Sequence, residues 1–147
     1  MKRYLILLLV GLFAAGCDYK GKPVEYSGIC NKENDKEYIE VVGFFKNNGS
    51  AMCSKRGNEP MRCPVHFVDT PDQAKPVMAN IDLGSGASSI ENVDGKGLTI
   101  RDEKKQDVAN TDKVKITASV LVFDSPQDPN ANYAPCSLTV KKIEKAQ

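Results

Sequence analysis

The sequence predicts an all-β fold: a small barrel or sandwich of about five or six short strands, stapled by two disulfides. Three observations predict it. Apolar and polar residues alternate through several segments of strand length, with turn residues between them. Helical periodicity is sustained nowhere in the body of the chain. Of five cysteines, four fall within that body, an even set suited to a small β-domain in an oxidising compartment.

Taken in order, the first segment is Met1 to Gly16, MKRYLILLLVGLFAAG. Lys2 and Arg3 give a charged start, Leu5 to Ala15 carry no charge, and small residues close the segment. That is the pattern of a secretory signal peptide over residues 1–16, too short and wrongly flanked for a stable membrane span. The run Ala14-Ala15-Gly16-Cys17 resembles the bacterial lipobox, with alanine where leucine is more usual three places before the cysteine. The resemblance implies that Cys17 is lipidated, becomes the first residue of the mature chain and ties it to a membrane. Lipidation also removes the odd thiol that five cysteines would otherwise leave. Several acyl chains exceed the two signals that stable anchoring requires. In enterobacterial lipoproteins an aspartate in the position of Asp18 resembles a sorting signal for the inner membrane. The expected location is therefore the bacterial cell envelope, lipid-anchored and facing the periplasm, with the inner membrane favoured.

Residues 17–29 are polar and interrupted by Gly21 and Pro23, and predict a lipidated cysteine followed by a flexible tether. A segment of about twelve flexible residues reaches roughly 20 Å. The domain is expected over 30–147. Tyr38 to Lys46 alternates, with Ile39, Val41 and Phe45 on one face and Gly43 in mid-strand, where a missing side chain permits a bend. Asn47-Asn48-Gly49 predicts a turn. Further strands are expected over Arg62 to Val68, Val77 to Leu83, Leu98 to Arg101 and Val114 to Phe123, with a last one opening at Leu138 and Val140.

Cys30, Cys53, Cys63 and Cys136 contain no C-x-x-C, which weighs against structural zinc and thioredoxin-like chemistry. Four cysteines allow three connectivities. Gly57-Asn58-Glu59-Pro60 is turn chemistry and favours Cys53–Cys63 across a hairpin. Cys30–Cys136 would then join the start of the domain to its last strand.

A first strand bent at glycine, a hairpin, a third strand and a late pair of the form VKITASVLVF…CSLTVKKIE together resemble the oligonucleotide/oligosaccharide-binding (OB) fold. They are similar in particular to the OB-like domains of small exported bacterial proteins and lipoproteins. The resemblance covers roughly Cys30 to Glu144. Gly84 to Gly97, rich in glycine and serine, departs from it, because many OB folds place a helix there. An immunoglobulin-like sandwich is the alternative, although its Trp signature is missing from a chain without tryptophan.

Without Lys2 and Arg3 the 20 basic residues become 18, against 19 acidic ones, so the mature chain is close to neutral. Non-specific nucleic-acid binding needs an excess of Lys and Arg, and is not expected. His66 is the single histidine and sits between Val65 and Phe67 with no second ligand or nucleophile motif. Leu83-Gly84-Ser85-Gly86 lacks the lysine of a phosphate loop. Asp124 to Asn130, DSPQDPN, lacks EF-hand spacing and reads as a hairpin loop. No enzyme, cofactor or metal site is expected.

The strongest site signal is outward-facing and apolar. Val42 and Phe44 on the first strand and Leu121 and Phe123 on the late strand are expected to converge as a partner patch, rimmed by Tyr38, Lys46 and Lys115. The expected function is a non-enzymatic binding module, held at the membrane through lipid on Cys17, recognising an envelope protein, peptide or glycan. The alternative is an exclusion or inhibitor lipoprotein that blocks a phage, toxin or hydrolase in the periplasm.

Overall fold

The computed structural model describes residues 18–46, 52–93, 97–125, 128 and 130–147. The signal segment, Cys17 and the expected Asn47-Asn48-Gly49 turn lie outside them. The strands are β1 (Lys22–Pro23), β2 (Tyr38–Lys46), β3 (Arg62–Val68), β4 (Val77–Asp82), β5 (Ile90–Val93), β6 (Gly97–Arg101), β7 (Asp107–Val108), β8 (Val114–Val122) and β9 (Cys136–Lys145).

Five of them close a barrel. The order runs β2-β3-β4-β9-β8, and β8 pairs back onto β2. Every junction is antiparallel except β4–β9, which is parallel. This is an OB-like barrel, and no sandwich of two open sheets is present among the described residues. Closure leaves the barrel strands without a free edge. Period-two alternation fills the interior: β2 buries Ile39, Val41 and Phe45, and β8 buries Val114, Ile116, Ala118 and Val120.

Gly43 is where β2 changes partner. Tyr38 to Gly43 pairs with β8, and Phe44 to Lys46 pairs with β3. A Cβ on Gly43 would stand 2.5 Å from the Val68 carbonyl oxygen and 2.7 Å from Phe67 Cζ. Only glycine lets β2 bend this closely over β3.

Gly84 to Gly97 contains strand instead of the helix common in OB folds. β5 pairs with β6, and β6 with β7, as a separate small sheet. Ile90, Ile100 and Val108 from these strands join the barrel core. The Ile143 amide donates to Ser88 Oγ at 2.9 Å, and the Glu103 amide donates to the Ile143 carbonyl at 2.7 Å. The small sheet is thereby fastened to β9.

The expected tether is corrected from Gly21 onward. β1 pairs in parallel with β2, Lys22 opposite Ile39, and the Val24 amide donates to the Glu40 carbonyl at 2.9 Å. Ile29 is fully buried. Gly21, which reads as a linker residue, allows the close approach, and Pro23 pairs opposite Glu40. A Cβ on Gly21 would collide with the Ile39 backbone. The segment covers the part of β2 that β3 does not reach.

Both expected disulfides are present, Cys30–Cys136 across 106 residues and Cys53–Cys63 across 10. Gly57, with φ of +54°, makes the turn inside the shorter loop.

Candidate functional site

Antiparallel pairing decides where the four expected patch residues go. Val42 lies opposite Lys115 at the start of β8, whereas Leu121 lies six positions further along and opposite Ser137 of β9. At the rise of an extended strand, six residues span roughly 20 Å. Phe44 is half-buried opposite Val68, further still from Leu121. The four residues therefore do not converge: Leu121 and Phe123 belong to one surface, Val42 and Phe44 to another. The expected rim divides in the same way, with Lys115 beside Val42, Tyr38 opposite Ser119 and Lys46 opposite His66.

Leu121 and Phe123 do border a groove, of about 440 Å³. Its floor is the outward face of β4 and β9: Met78 and Asn80 from one strand, Ser137 and Thr139 from the other. Strand register places them side by side, Met78 with Ser137 and Asn80 with Thr139. Asn80 Nδ2 donates to the Leu138 carbonyl at 3.1 Å, which fixes the amide across the parallel junction.

One wall is apolar. Leu121, Phe123 and Tyr133 are 48%, 38% and 54% exposed, large values for side chains of this kind gathered in one place. The opposite wall comes from the disulfide-closed hairpin, through Ser54, Arg56, Glu59, Pro60 and Arg62. Arg62 is held by two carboxylates, Nε to Asp82 at 2.9 Å and Nη1 to Glu59 at 2.8 Å. Arg56 is exposed at the mouth. The groove thus offers flat apolar faces, hydroxyl and amide groups, and a guanidinium.

Its place in the fold is informative. OB barrels bind ligands between the loop that joins their first two strands and the loop that joins their last two. Here the connection from β2 to β3 contributes Ser54, Arg56, Glu59 and Pro60 to the groove, and the connection from β8 to β9 contributes Phe123, Tyr133 and Ala134. Met78 and Asn80 were legible as outward positions of an alternating strand. Tyr133 and Arg56 were not, because loop residues carry no periodic signal.

His66 faces outward between Lys46 and Met78. Asp124 pairs with Lys32 Nζ at 3.1 Å, and Asp128 Oδ1 accepts from the Asn130 amide at 2.9 Å. Among the described residues, no three of His, Cys, Asp and Glu come together to hold a metal ion. Asp18 is exposed, 3.9 Å from Lys142 Nζ, and Lys142 also meets Glu103 and Glu144, both at 3.3 Å. Cys17 lies outside the described residues.

No protein-family model matches the chain, and no curated protein matches it. A crystal structure described as an aspartyl-tRNA synthetase from Leishmania major Friedlin is similar at TM-score 0.47 and 15% identity, over 88% of this chain and 21% of that one. This chain thus spans about a fifth of that structure's length. Two disulfides are compatible with a location outside the cytoplasm. No helix among the described residues is long and apolar enough to cross a membrane.

Proposed function

We propose that this protein is a non-enzymatic binding module, anchored to a bacterial envelope membrane by lipid on Cys17 and facing the periplasm. Its groove over β4 and β9 would receive an envelope protein, peptide or glycan. The observation that carries the reading is the exposed trio Leu121, Phe123 and Tyr133 beside a floor of Asn80, Ser137 and Thr139. Aromatic faces next to hydrogen-bonding groups suit a ligand that is partly flat and partly polar. The signal segment and Ala14-Ala15-Gly16-Cys17 support the anchor.

Two measurements test it. Metabolic labelling with an alkyne palmitate should tag the wild-type chain and fail on Cys17→Ser. Capture from solubilised envelopes with wild-type and Tyr133→Ala proteins should return a ligand that only the wild type retains. Equal recovery by both proteins refutes the groove, and labelling of Cys17→Ser refutes the anchor. Protection of cells against a phage, toxin or hydrolase, lost with the same groove variant, would favour the exclusion or inhibitor reading instead.

A further inference from the structure

The groove's apolar wall is one end of a longer stripe. Tyr19 and Tyr38, each 39% exposed, pack against each other with ring centroids 5.7 Å apart and the planes tilted by 39°. Tyr38 lies opposite Ser119 on β8, so Leu121 is its diagonal neighbour on the same outer face. Phe123 follows two residues on, and Tyr133 borders the same surface. Tyr19, Tyr38, Leu121, Phe123 and Tyr133 thus run in one line from the amino terminus to the β8–β9 loop. The exposed charges flanking Tyr19 and Tyr38 are mixed: Asp18 and Lys20 beside the first, Lys36 and Glu37 beside the second.

The position of Tyr19 bears directly on the anchor. Tyr19 is two positions from Cys17, with only Asp18 between them, and two fully extended residues span at most about 7 Å. With β1 docked and Tyr19 packed against Tyr38, the barrel has almost no tether on which to stand away from a membrane that holds Cys17. Tyrosine rings suit the headgroup layer, where one edge is apolar and the other wet.

We propose that this stripe is seated on the bilayer to which Cys17 is tied, so that the groove opens along the membrane surface. The occupant of the stripe is the lipid headgroup layer. The ligand of the groove is then a molecule held at that surface, not one arriving from bulk periplasm. The inference rests on the reading of Cys17 as the lipid anchor.

The chain has no tryptophan, so a single introduced one reports its own surroundings. The lipidated full-length variants Tyr38→Trp and Leu121→Trp are reconstituted into phosphatidylcholine and phosphatidylglycerol vesicles, with or without dibrominated acyl chains. Leu83→Trp and Val42→Trp, exposed apolar positions away from the stripe, serve as references. Quenching by brominated lipid should be roughly twofold or more stronger at positions 38 and 121 than at 83 and 42, as for groups buried in the interface. Equal quenching at all four positions, with the protein still sedimenting with vesicles, overturns the seating and leaves the anchor standing. Protein that carries no lipid and stays in the supernatant overturns both.

Discussion

Tyr26 donates its hydroxyl hydrogen to the Phe67 carbonyl at 3.0 Å, and the two rings lie 6.1 Å apart. The same hydroxyl accepts from the Val77 amide at 3.3 Å. One side chain of the amino-terminal segment therefore bridges β3 and β4 at their last pair, Phe67 with Val77. This contact, with β1 and Ile29, makes the segment part of the barrel.

Tyr26→Phe should keep the ring packing and lose both hydrogen bonds. Leaving the Val77 amide and the Phe67 carbonyl short of a partner costs about 1–3 kcal/mol. Thermal unfolding should show the loss, and hydrogen exchange at Val77 should accelerate.

The same tyrosine predicts an alkaline weakness. Burial pushes its hydroxyl above the ordinary value of 10.0, with the Asp69 carboxylate adding to the shift and the Val77 amide opposing it. A folded-state pKa above the unfolded one means that the folded chain holds its proton longer. The tyrosine's contribution is thus complete below about pH 10 and is lost as pH rises through the folded-state value. Stability curves of wild type and Tyr26→Phe should converge above that pH. Curves that stay parallel would show that the segment does not sense the charge.

Gly43→Ala should be severely destabilising. The new methyl would press on the Val68 carbonyl oxygen, which is backbone and cannot swing aside, and on the Phe67 ring, which fills the core. Overpacking of this kind costs roughly 1–3 kcal/mol or more. Denaturant unfolding checks it, with Gly84→Ala as a control where open space surrounds the added carbon.

The strands that build the barrel were legible because each is buried on one face, and burial writes period two into β2, β4 and β8. The bend at Gly43 was legible for the same reason: a glycine on an apolar face of a regular strand needs a purpose. Three features were hidden. β5 offers Ile90 and Val93 amid glycine and serine, too little alternation to register, and its burial comes from packing onto the barrel mouth. Residues 21–29 carry linker composition, yet Gly21 serves close approach to β2 and Lys22 and Pro23 pair with it. Alternation puts Val42 and Leu121 on outward faces, where both are exposed, but it gives no register between strands, and register is what separates the two.

The two disulfides should differ in worth. In the chain-entropy account the 106-residue loop of Cys30–Cys136 contributes about 5 kcal/mol and the 10-residue loop of Cys53–Cys63 about 3 kcal/mol. Paired serine variants, compared by urea unfolding, should rank in that order. The shorter bridge also shapes a groove wall, so Cys53→Ser with Cys63→Ser should weaken ligand retention even where the barrel stays folded.

Phe123 gives the sharpest separation of function from stability. It stands just past the end of β8, 38% exposed, with its amide donating to the Pro135 carbonyl at 2.9 Å. That hydrogen bond is backbone and survives truncation, so Phe123→Ala leaves the β8–β9 junction closed. The ring adds to the groove wall and little to the core. Aromatic anchors at the centre of binding sites commonly carry about 2 kcal/mol or more, which is roughly a thirtyfold loss of affinity. Affinity for the ligand proposed for the groove should fall by that factor while the melting temperature shifts by no more than about 2 °C. Val42→Ala, equally exposed but on the far surface, should change neither quantity. A Phe123→Ala protein that melts early, or a Val42→Ala protein that loses the ligand, would place the binding surface elsewhere on the barrel.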